Sequence, residues 1–554
     1  MTMRRKAAPV AVAAAVALAL GACAQSERES GGEATGGAGG SYKDTFTFGA
    51  AGAPEVFDPF YATDGETFRI TRQMFDGLLT IKPGTADLAP ALAEKWEPSA
   101  DGKQWTFTLR QGVVFSDGEP FNAEAACKNF ERMFDQNEAA AAGPAEYWRN
   151  TMGAFKSDAA NSLYQGCTVK DPNTIVIDTK EATSKFPAVL SLASLSMQSP
   201  KALEEGKANE VTAQGEGFSY PEYSMNPVGS GPYKLENYDQ ANRTVTLVAN
   251  DKYWGEQPKT NKLIFKIIPD ESTRRQELQA GSIDGYDLPN PVDWKGLEDA
   301  GSKVEVRPAF NILYMGLNPE KNEKLKDVEV RKALYQAINR QQLVDSQLPE
   351  GASVATQFIP ETVAGYNEAL QPVAYDAAAA KEKLQGLTLN FAYPSEVTRP
   401  YMPNPQRLFE AIRADLEAAG VTVNVTTRPW NGGYLDGVTA GAFDAWLLGW
   451  TGDYNSADNF IGTFFGNLAT NDFRTKVTNY GTALSQELAA ADATVDEAER
   501  TNKYKEINKK LVEQYLPALP LTHSPPALVV SGKVEGLVVS PLTAEEFSTV
   551  QVKQ

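Results

Sequence analysis

The chain has 554 residues, which is too long for one hydrophobic core, so two or three domains are expected. Hydrophobic residues make up 42% of it and charged residues 22%, a composition typical of a globular protein rather than a disordered or fibrous one. With 71 Asp and Glu against 52 Lys and Arg, the formal net charge is -19, which argues against a nucleic-acid partner because such a partner requires a basic face.

The N-terminus has the pattern of an export signal. Arg4, Arg5 and Lys6 supply positive charge, and a short run of Ala, Val and Leu extends from Val10 to Leu20. Because this run is too short for a stable membrane span, it predicts a cleaved signal peptide over residues 1–22.

A cysteine follows this run directly. The stretch Leu20-Gly21-Ala22-Cys23 resembles the bacterial lipobox, in which the cysteine is lipidated and becomes the mature N-terminus. We therefore expect Cys23 to be lipidated; the alternative is an ordinary secretory signal in which this cysteine is incidental. The Gly-, Ser-, Ala- and Glu-rich composition that follows predicts a flexible tether over residues 23–42.

The remaining cysteines indicate whether a disulfide is expected, and the number of histidines indicates whether a metal site is expected. Once Cys23 is set aside, Cys127 and Cys167 remain, and an even pair in an oxidising compartment favours a disulfide. Two buried free thiols are the open alternative. His523 is the single histidine of the sequence, and no ligands are clustered at metal-site spacing, so neither a metal nor another cofactor is expected.

The N-terminal half alternates between strand and helix signals. A short strand is predicted from residue 45, and apolar residues between positions 68 and 78 give one face of a helix. A β-rich passage follows in which Asp101-Gly102 and Asp117-Gly118 are turn signals, and it predicts a small meander. Asn122 is expected to cap the next helix.

The C-terminal half has strands and helices in alternation from about residue 311. Asp327 is predicted to cap one helix, and Gly420 is predicted to end another. The predicted strands cover residues 312–317, 388–393, 421–425 and 443–448. This order is typical of βαβ units, in which parallel strands place their carboxyl ends at one edge of the sheet, where ligands of open α/β sheets bind.

Two charged residues follow such strands. Arg399 comes after the strand at 388–393, and Asp453 comes after the apolar run at 443–448, in the stretch Gly449-Trp450-Thr451-Gly452-Asp453. If the two strands are parallel, both side chains emerge at the same edge. A fixed cation and a fixed anion there suit a zwitterion, since Arg binds carboxylates and Asp accepts from ammonium groups. The alternative is that the two residues pair with each other or cap unrelated helices.

Several motifs together resemble the peptide/nickel class, family 5, of solute-binding proteins, the extracytoplasmic receptors of ABC importers. The resemblance extends from about residue 45 to the C-terminus. Its motifs lie at residues 91–97, 101–102, 106–110, 115–118, 229–233, 253–255, 327–340 and 375–376. Within the class, the stretches Arg399-Pro400-Tyr401 and Gly449 to Asp453, with Asp458-Asn459-Phe460 after them, are most similar to dipeptide-binding proteins.

The resemblance implies roles for individual residues. Asp453 would hold the α-ammonium of the ligand and Arg399 its carboxylate. The other ligand-binding residues that it implies are Tyr401, Trp450 and Gly452, and, more loosely from the first lobe, Thr63 and Gly65. The sequence departs from the dipeptide pattern at residues 454–457, which read partly like the oligopeptide subtype, and at Ser116, where a histidine is common. Both departures leave the ligand length open.

The same resemblance implies an α/β, bilobal, periplasmic-binding-protein-like fold with an extra small α+β domain. Its expected domains are lobe I (43–84, 227–308 and 526–554), the extra domain (85–226) and lobe II (309–525).

The expected function is a receptor that is lipid-anchored to the outer face of the cytoplasmic membrane. It would be a monomer that delivers short peptides, dipeptides above all, to the permease subunits of an ABC importer. Open alternatives are oligopeptides or a nickel chelate, haem, sugar or opine as cargo, an exported hydrolase, and an envelope chaperone or adhesin. An enzyme is not expected because the sequence has no Gly-x-Ser-x-Gly elbow and no His-Glu-x-x-His helix.

Overall fold

A computed structural model describes residues 41–215, 217–466 and 481–554. The predicted signal peptide, Cys23 and the tether up to residue 40 lie outside the described residues. Residues Tyr42 to Gln554 form one compact unit. Among the described helices, none combines the length and the apolarity that crossing a bilayer requires.

Short strands and helices alternate along the whole unit. The strands are β1 (Thr45–Ala50), β2 (Leu79–Ile81), β3 (Leu88–Pro90), β4 (Ala93–Pro98), β5 (Gln104–Leu109), β6 (Tyr164–Asp171), β7 (Thr174–Thr179), β8 (Thr212–Gln214), β9 (Gly217–Ser219), β10 (Tyr233–Asp239), β11 (Thr244–Ala249), β12 (Lys262–Ile267), β13 (Gly285–Asp287), β14 (Ser302–Val306), β15 (Asn311–Leu317), β16 (Ser353–Val354), β17 (Thr388–Ser395), β18 (Thr422–Pro429), β19 (Ala445–Thr451), β20 (Ala518–His523), β21 (Ala527–Ser531), β22 (Val534–Glu535) and β23 (Gln551–Val552). The α-helices are α1 (Gly65–Thr71), α2 (Ala123–Phe134), α3 (Glu138–Ala142), α4 (Glu146–Met152), α5 (Phe186–Val189), α6 (Pro200–Glu205), α7 (Glu271–Gln279), α8 (Trp294–Asp299), α9 (Val328–Ala337), α10 (Arg340–Gln347), α11 (Ala377–Leu384), α12 (Pro405–Ala418), α13 (Leu435–Thr439), α14 (Thr463–Phe465), α15 (Gly481–Asp492) and α16 (Glu497–Lys510).

Lobe I is built around a seven-stranded sheet in the order β10-β11-β12-β1-β13-β21-β14. Strand β1 is parallel to both β12 and β13, and the other pairs are antiparallel. The sheet therefore joins the start of the described chain, its middle and its C-terminal tail. The domain boundaries expected from the sequence stay a prediction at the level of single residues.

Lobe II is built around a six-stranded sheet in the order β16-β20-β15-β19-β17-β18. Strand β17 is parallel to β18 and to β19, as the βαβ prediction requires. The prediction is wrong for β15, which is antiparallel to β19 and β20. The chain enters β15 directly from lobe I, without the crossover helix that would return it parallel to its neighbours.

The extra domain, which we call the insert (β4 to β9 with α2 to α6), contains a four-stranded antiparallel sheet in the order β4-β5-β7-β6. The turn at Asp101-Gly102 joins β4 to β5 as predicted. The turn predicted at Asp117-Gly118 is also found, with the amide of Gly118 donating to the Phe115 carbonyl at 2.8 Å. The segments on either side of it do not extend the meander, since Val114 forms only an isolated bridge to Pro120. The side chain of Asn122 caps α2 by accepting from the amide of Ala125.

Other predicted helix ends agree with the structure in part. Asp327 caps α9, and Gly420 follows α12 with a φ of 92°, the left-handed conformation that favours glycine at such an end. The helix expected over positions 68–78 is shorter than predicted, because α1 ends at Thr71. The apolar residues beyond it, among them Met74 and Leu78, are nevertheless buried.

Two chain crossings join lobe I to lobe II, and the insert also contacts lobe II. The chain crosses between β14 and β15 and again between β20 and β21, and these crossings lie side by side: Arg307 donates its amide to the Pro526 carbonyl at 2.8 Å, and Asn311 donates to the Ser524 carbonyl at 2.7 Å. Elsewhere, Lys185 of the insert forms an ion pair of 2.6 Å with Asp458 of lobe II. We call this pair, with Asp492 beside it, the latch.

Candidate functional site

The parallel pair β17 and β19 carries the predicted site at its carboxyl edge. Phe391 of β17 lies opposite Ala445 of β19, so both strands end on the same side of the sheet. Arg399 lies four residues beyond the end of β17, and Asp453 lies two residues beyond the end of β19. The sheet therefore brings the two loops to one edge, as the sequence predicts for parallel strands.

Asp453 is half-buried and is held in place from its own loop. Its amide donates to Oδ1 of Asn459 at 2.8 Å, and the hydroxyl of Tyr147 approaches its Oδ1 at 3.4 Å. Burial raises the pKa of Asp453 to about 6, against the lowering effects of the Asn459 hydrogen bond and of the nearby Arg72 guanidinium. A carboxylate with so few charged partners is suited to accept an ammonium group from a ligand.

Arg399 is held by an aromatic ring rather than by a carboxylate. Its guanidinium lies over the Trp430 ring at 4.4 Å, and its buried Nε has no hydrogen-bond partner. Within the described parts of the chain, Arg399 forms no ion pair with Asp453 or with any other carboxylate. The alternative that the two residues neutralise each other therefore has no support, and the donors of Arg399 are available for a ligand carboxylate.

Of the other residues expected in lobe II, Tyr401 and Gly452 lie in the same two loops, and Trp450 lies in β19 just before the second loop. The ring of Tyr401 is buried against the backbone of Gly449, where a Cβ would come within 2.4 Å of it. Trp450 donates from Nε1 to Asn459 at 3.3 Å, so the indole and Asp453 share one partner. A Cβ on Gly452 would come within 2.3 Å of the Phe310 ring, which gives this glycine a packing role whether or not it contacts a ligand.

Thr63 and Gly65 belong to lobe I and are exposed. They flank Asp64, which caps α1 by accepting from the amides of Glu66 and Thr67. No hydrogen bond in the described part of the chain joins Thr63 or Gly65 to the lobe II residues, so their role in binding stays a prediction.

The structure adds three residues that sequence reasoning missed. Tyr147, in α4 of the insert, contacts Asp453; Arg72 lies at the end of α1; and Trp430 supports Arg399. The position of Trp430 directly after β18, which is parallel to β17, is a signal that places it at the same edge as Arg399. Tyr147 and Arg72 approach the site across an interface between domains, which strand and helix patterns do not reveal.

The remaining site predictions concern the cysteines and the histidine. Cys127 of α2 and Cys167 of β6 are bonded, with Cα atoms 5.3 Å apart. His523 is buried at the end of β20, with Nδ1 2.5 Å from the Asn311 carbonyl, and burial lowers its pKa to about 4. The described residues contain no group of three or more His, Cys, Asp or Glu side chains placed to hold a metal ion.

Comparison with known proteins extends over almost the whole chain. Residues 87–472 match the model of the bacterial extracellular solute-binding proteins, family 5 Middle. A dipeptide-binding protein of Escherichia coli (strain K12) is 32% identical over 92% of this chain and 95% of its own length. Heme-binding protein A of Haemophilus influenzae is 29% identical over 97% of this chain and 98% of its own length.

A solved structure shows that the likeness includes the three-dimensional arrangement. The crystal structure of a dipeptide binding protein from Pseudoalteromonas sp. SM9913, in complex with Met-Leu, superposes with a TM-score of 0.76. It is 26% identical, and the match covers 92% of this chain and 100% of that one. The fold is therefore the bilobal α/β fold of periplasmic binding proteins, and the chain belongs to the extracellular solute-binding proteins of family 5.

Proposed function

We propose that this protein is a receptor for short peptides, with dipeptides as its main ligands, and that it delivers them to the permease of an ABC importer. The observation that carries the proposal is the pair formed by Asp453 and Arg399. They lie at one sheet edge with opposite charges, and neither neutralises the other. A dipeptide offers an ammonium and a carboxylate, and each would cost several kcal/mol to bury without a partner.

The proposed binding mode assigns one end of the ligand to each residue. Asp453 accepts from the α-ammonium, and Arg399 donates to the terminal carboxylate. Trp450 and Tyr401 line the space around these anchors, and Thr63 and Gly65 contact the ligand from lobe I. Because an extended residue spans only about 3.5 Å, anchors at both termini select ligand length.

Closure of the lobes follows from these contacts. A ligand that touches both lobes stabilises the closed form over the open one, which shifts the population towards closure.

We further propose that Cys23 is lipidated after removal of residues 1–22, so that residues 23–42 tether a monomeric receptor to the outer face of the cytoplasmic membrane. The domain ranges expected from the sequence belong to the same proposal.

The sharpest test compares Asp453→Asn with the wild-type protein. Titration calorimetry with Ala-Ala should show roughly tenfold to hundredfold weaker binding for the variant, since a charge-assisted hydrogen bond is lost. N-acetylated Ala-Ala, which has no ammonium, should bind both proteins equally weakly. Equal losses for the free and the acetylated peptide would contradict the ammonium role.

A second measurement tests the cargo itself. The purified protein is denatured, and the released small molecules are identified by mass spectrometry. Dipeptides are expected. Release of peptides of four or more residues would assign the protein to the oligopeptide subtype.

Haem is a second candidate because of the likeness to the Haemophilus influenzae protein. The single histidine of the chain argues against ligation of the iron, since His523 is 5% exposed and contacts the Asn311 carbonyl. Titration with haemin, followed by its visible absorbance, should show no saturable one-to-one shift. A saturable shift that dipeptides abolish would favour haem over peptides.

A further inference from the structure

Arg72 is a cation without an ion-pair partner among the residues that the structure describes. It follows α1 directly, is half-buried, and lies with its guanidinium 5.6 Å from the centre of the Phe68 ring. In the described parts of the chain, no carboxylate forms an ion pair with it and no oxygen accepts a hydrogen bond from its side chain. Its neighbour Arg69 differs, since it forms ion pairs with Asp287 and Glu545.

A chain of contacts links Arg72 to the proposed ammonium site. The Phe68 ring under the guanidinium packs edge-on against Tyr147, with ring centres 5.4 Å apart. The Tyr147 hydroxyl then reaches Oδ1 of Asp453 at 3.4 Å. The positive charge of Arg72 also lowers the pKa of Asp453. Arg72 therefore lies on the lobe I side of Phe68 and Tyr147, and Asp453 lies on their lobe II side.

Two carboxylates of the C-terminal tail, Glu545 and Glu546, attract Arg72 without forming an ion pair with it in the described residues. Burial raises the pKa of Glu546 to about 7, so this group is only partly charged at neutral pH, and Glu545 is already engaged by other cations. Glu545 accepts from Arg307 at 2.6 Å through Oε1 and from Arg69 at 3.3 Å through Oε2. Burial lowers the pKa of Arg72, and the attraction of Glu545 only partly offsets that effect. A guanidinium taken out of water without a hydrogen-bonding anion is costly, so a partner supplied by the ligand would be favourable.

We propose that Arg72 binds the side-chain carboxylate of the ligand's first residue, so that the receptor prefers peptides beginning with Glu or Asp. The inference rests on the proposed function, because Asp453 must first fix the amino end beside Arg72. An acidic first residue carries an ammonium and a second carboxylate only a few bonds apart. Asp453 accepts a hydrogen bond from the ammonium group, and Glu146 adds negative charge nearby. The Arg72 guanidinium donates to the side-chain carboxylate of the ligand.

The test uses three dipeptides and titration calorimetry. Glu-Ala carries the additional carboxylate at the amino end, Gln-Ala is its neutral match, and Ala-Glu carries that carboxylate at the other end. The wild-type protein should bind Glu-Ala at least about tenfold more tightly than Gln-Ala. Equal affinities for these two would overturn the inference without any variant being made.

Variants then assign the preference to Arg72. In Arg72→Gln the ratio of the Glu-Ala and Gln-Ala affinities should fall to about one. The ratio is the readout, because the charge of Arg72 also acts on the pKa of Asp453 and its loss changes the affinity for every dipeptide. Arg72→Lys should keep part of the ratio. Arg407→Gln, which removes an exposed cation from α12, is the matched control and should leave the ratio unchanged.

The possible failures are distinct. If the ratio of the Glu-Ala and Gln-Ala affinities were unchanged in Arg72→Gln, another group would bind the acidic side chain, and the inference would be wrong. If the wild-type protein bound none of the three dipeptides, the proposed function would fail and this inference with it. Tight binding of Gln-Ala and Ala-Glu alone would retain the proposed function and reject the role of Arg72.

Discussion

Asp453 combines two properties that a buried anchor for a cation requires. It is screened from water enough for its pKa to rise to about 6, and Asn459 and Tyr147 hold it in place without adding a positive charge. Burial also raises the pKa of Tyr147 well above its usual value, so its hydroxyl stays protonated and donates. The loop thus orients the carboxylate while leaving its charge available.

The raised pKa predicts how binding depends on pH. Below about pH 6, Asp453 takes up a proton and loses the charge that pairs with the ammonium, so affinity should fall steadily as the pH drops from 7 to 5. The ligand's own α-amino group titrates near pH 8 and stays charged across this range. Calorimetric titrations with Ala-Ala at several pH values measure the effect.

The control for this prediction is Asp453→Asn, in which the loss between pH 7 and pH 5 should disappear. A wild-type affinity that is constant over this range, or a loss that persists in the variant, would assign the titration to another group.

At the scale of elements, the sequence predicts the strands that carry Asp453 and Arg399, but it does not predict the segments that hold Arg399 in place. The strand predicted at 388–393 is found as β17, and the strand predicted at 443–448 is found as β19, shifted to Ala445–Thr451. Their parallel pairing brings Asp453 and Arg399 to one edge. The signals are strong because both strands lie in the middle of the sheet, where most of their residues are buried. The direction of β15 could not be read in this way, since residue patterns do not encode whether a strand enters from another lobe.

The segments that support Arg399 are less regular. Trp430 begins a π-helical turn, Trp430–Tyr434, directly after β18. The hydroxyl of Tyr434 donates to the Leu447 carbonyl at 2.6 Å, which ties this turn to β19. Periodicity does not predict such a turn, because a π-helical turn interrupts the spacing on which helix prediction relies.

This arrangement predicts that Trp430 orients Arg399 for the ligand carboxylate. Trp430→Leu should weaken binding of Ala-Ala about fivefold to tenfold, since a cation–π contact is worth roughly 1 kcal/mol and the guanidinium is no longer held in place. Trp430→Phe should keep most of the affinity. Isothermal titration provides the measurement.

The control ligand is Ala-Ala with an amidated carboxyl end. It cannot pair with Arg399, so Trp430→Leu should leave its weak binding unchanged, and Arg399→Ala should likewise affect only the free acid. Comparable losses for both ligands would mean that Trp430 merely stabilises lobe II.

At the scale of the whole molecule, the latch joins the insert to lobe II beside the site. Burial lowers the pKa of Lys185, but the charges of Asp458 and Asp492 outweigh this effect, and the net pKa is raised. Asp492 also accepts from the Thr183 hydroxyl at 2.9 Å and from the Lys185 amide at 3.1 Å. These contacts depend on the insert and lobe II being close together.

The latch should therefore contribute to ligand affinity without touching the ligand. Lys185→Met should weaken dipeptide binding about tenfold to hundredfold, because part of the free energy of closure is lost. Small-angle X-ray scattering of the unliganded variant should give a larger radius of gyration than that of the wild type.

Lys332→Met, which removes an ion pair with Glu329 on the surface of α9, is the matched control and should change neither quantity. An unchanged radius together with unchanged affinity in Lys185→Met would show that the latch is incidental to closure.

The lobe I sheet has a consequence for the rate at which the molecule folds. Strand β1 comes from the start of the described chain and β21 from near its end, and both pair with β13. Glu545, nine residues before Gln554, forms an ion pair with Arg307 in the interior where the chain crosses between the lobes. Because strands so far apart in the sequence must meet before their contacts contribute to stability, we expect lobe I to form its core slowly and late in folding.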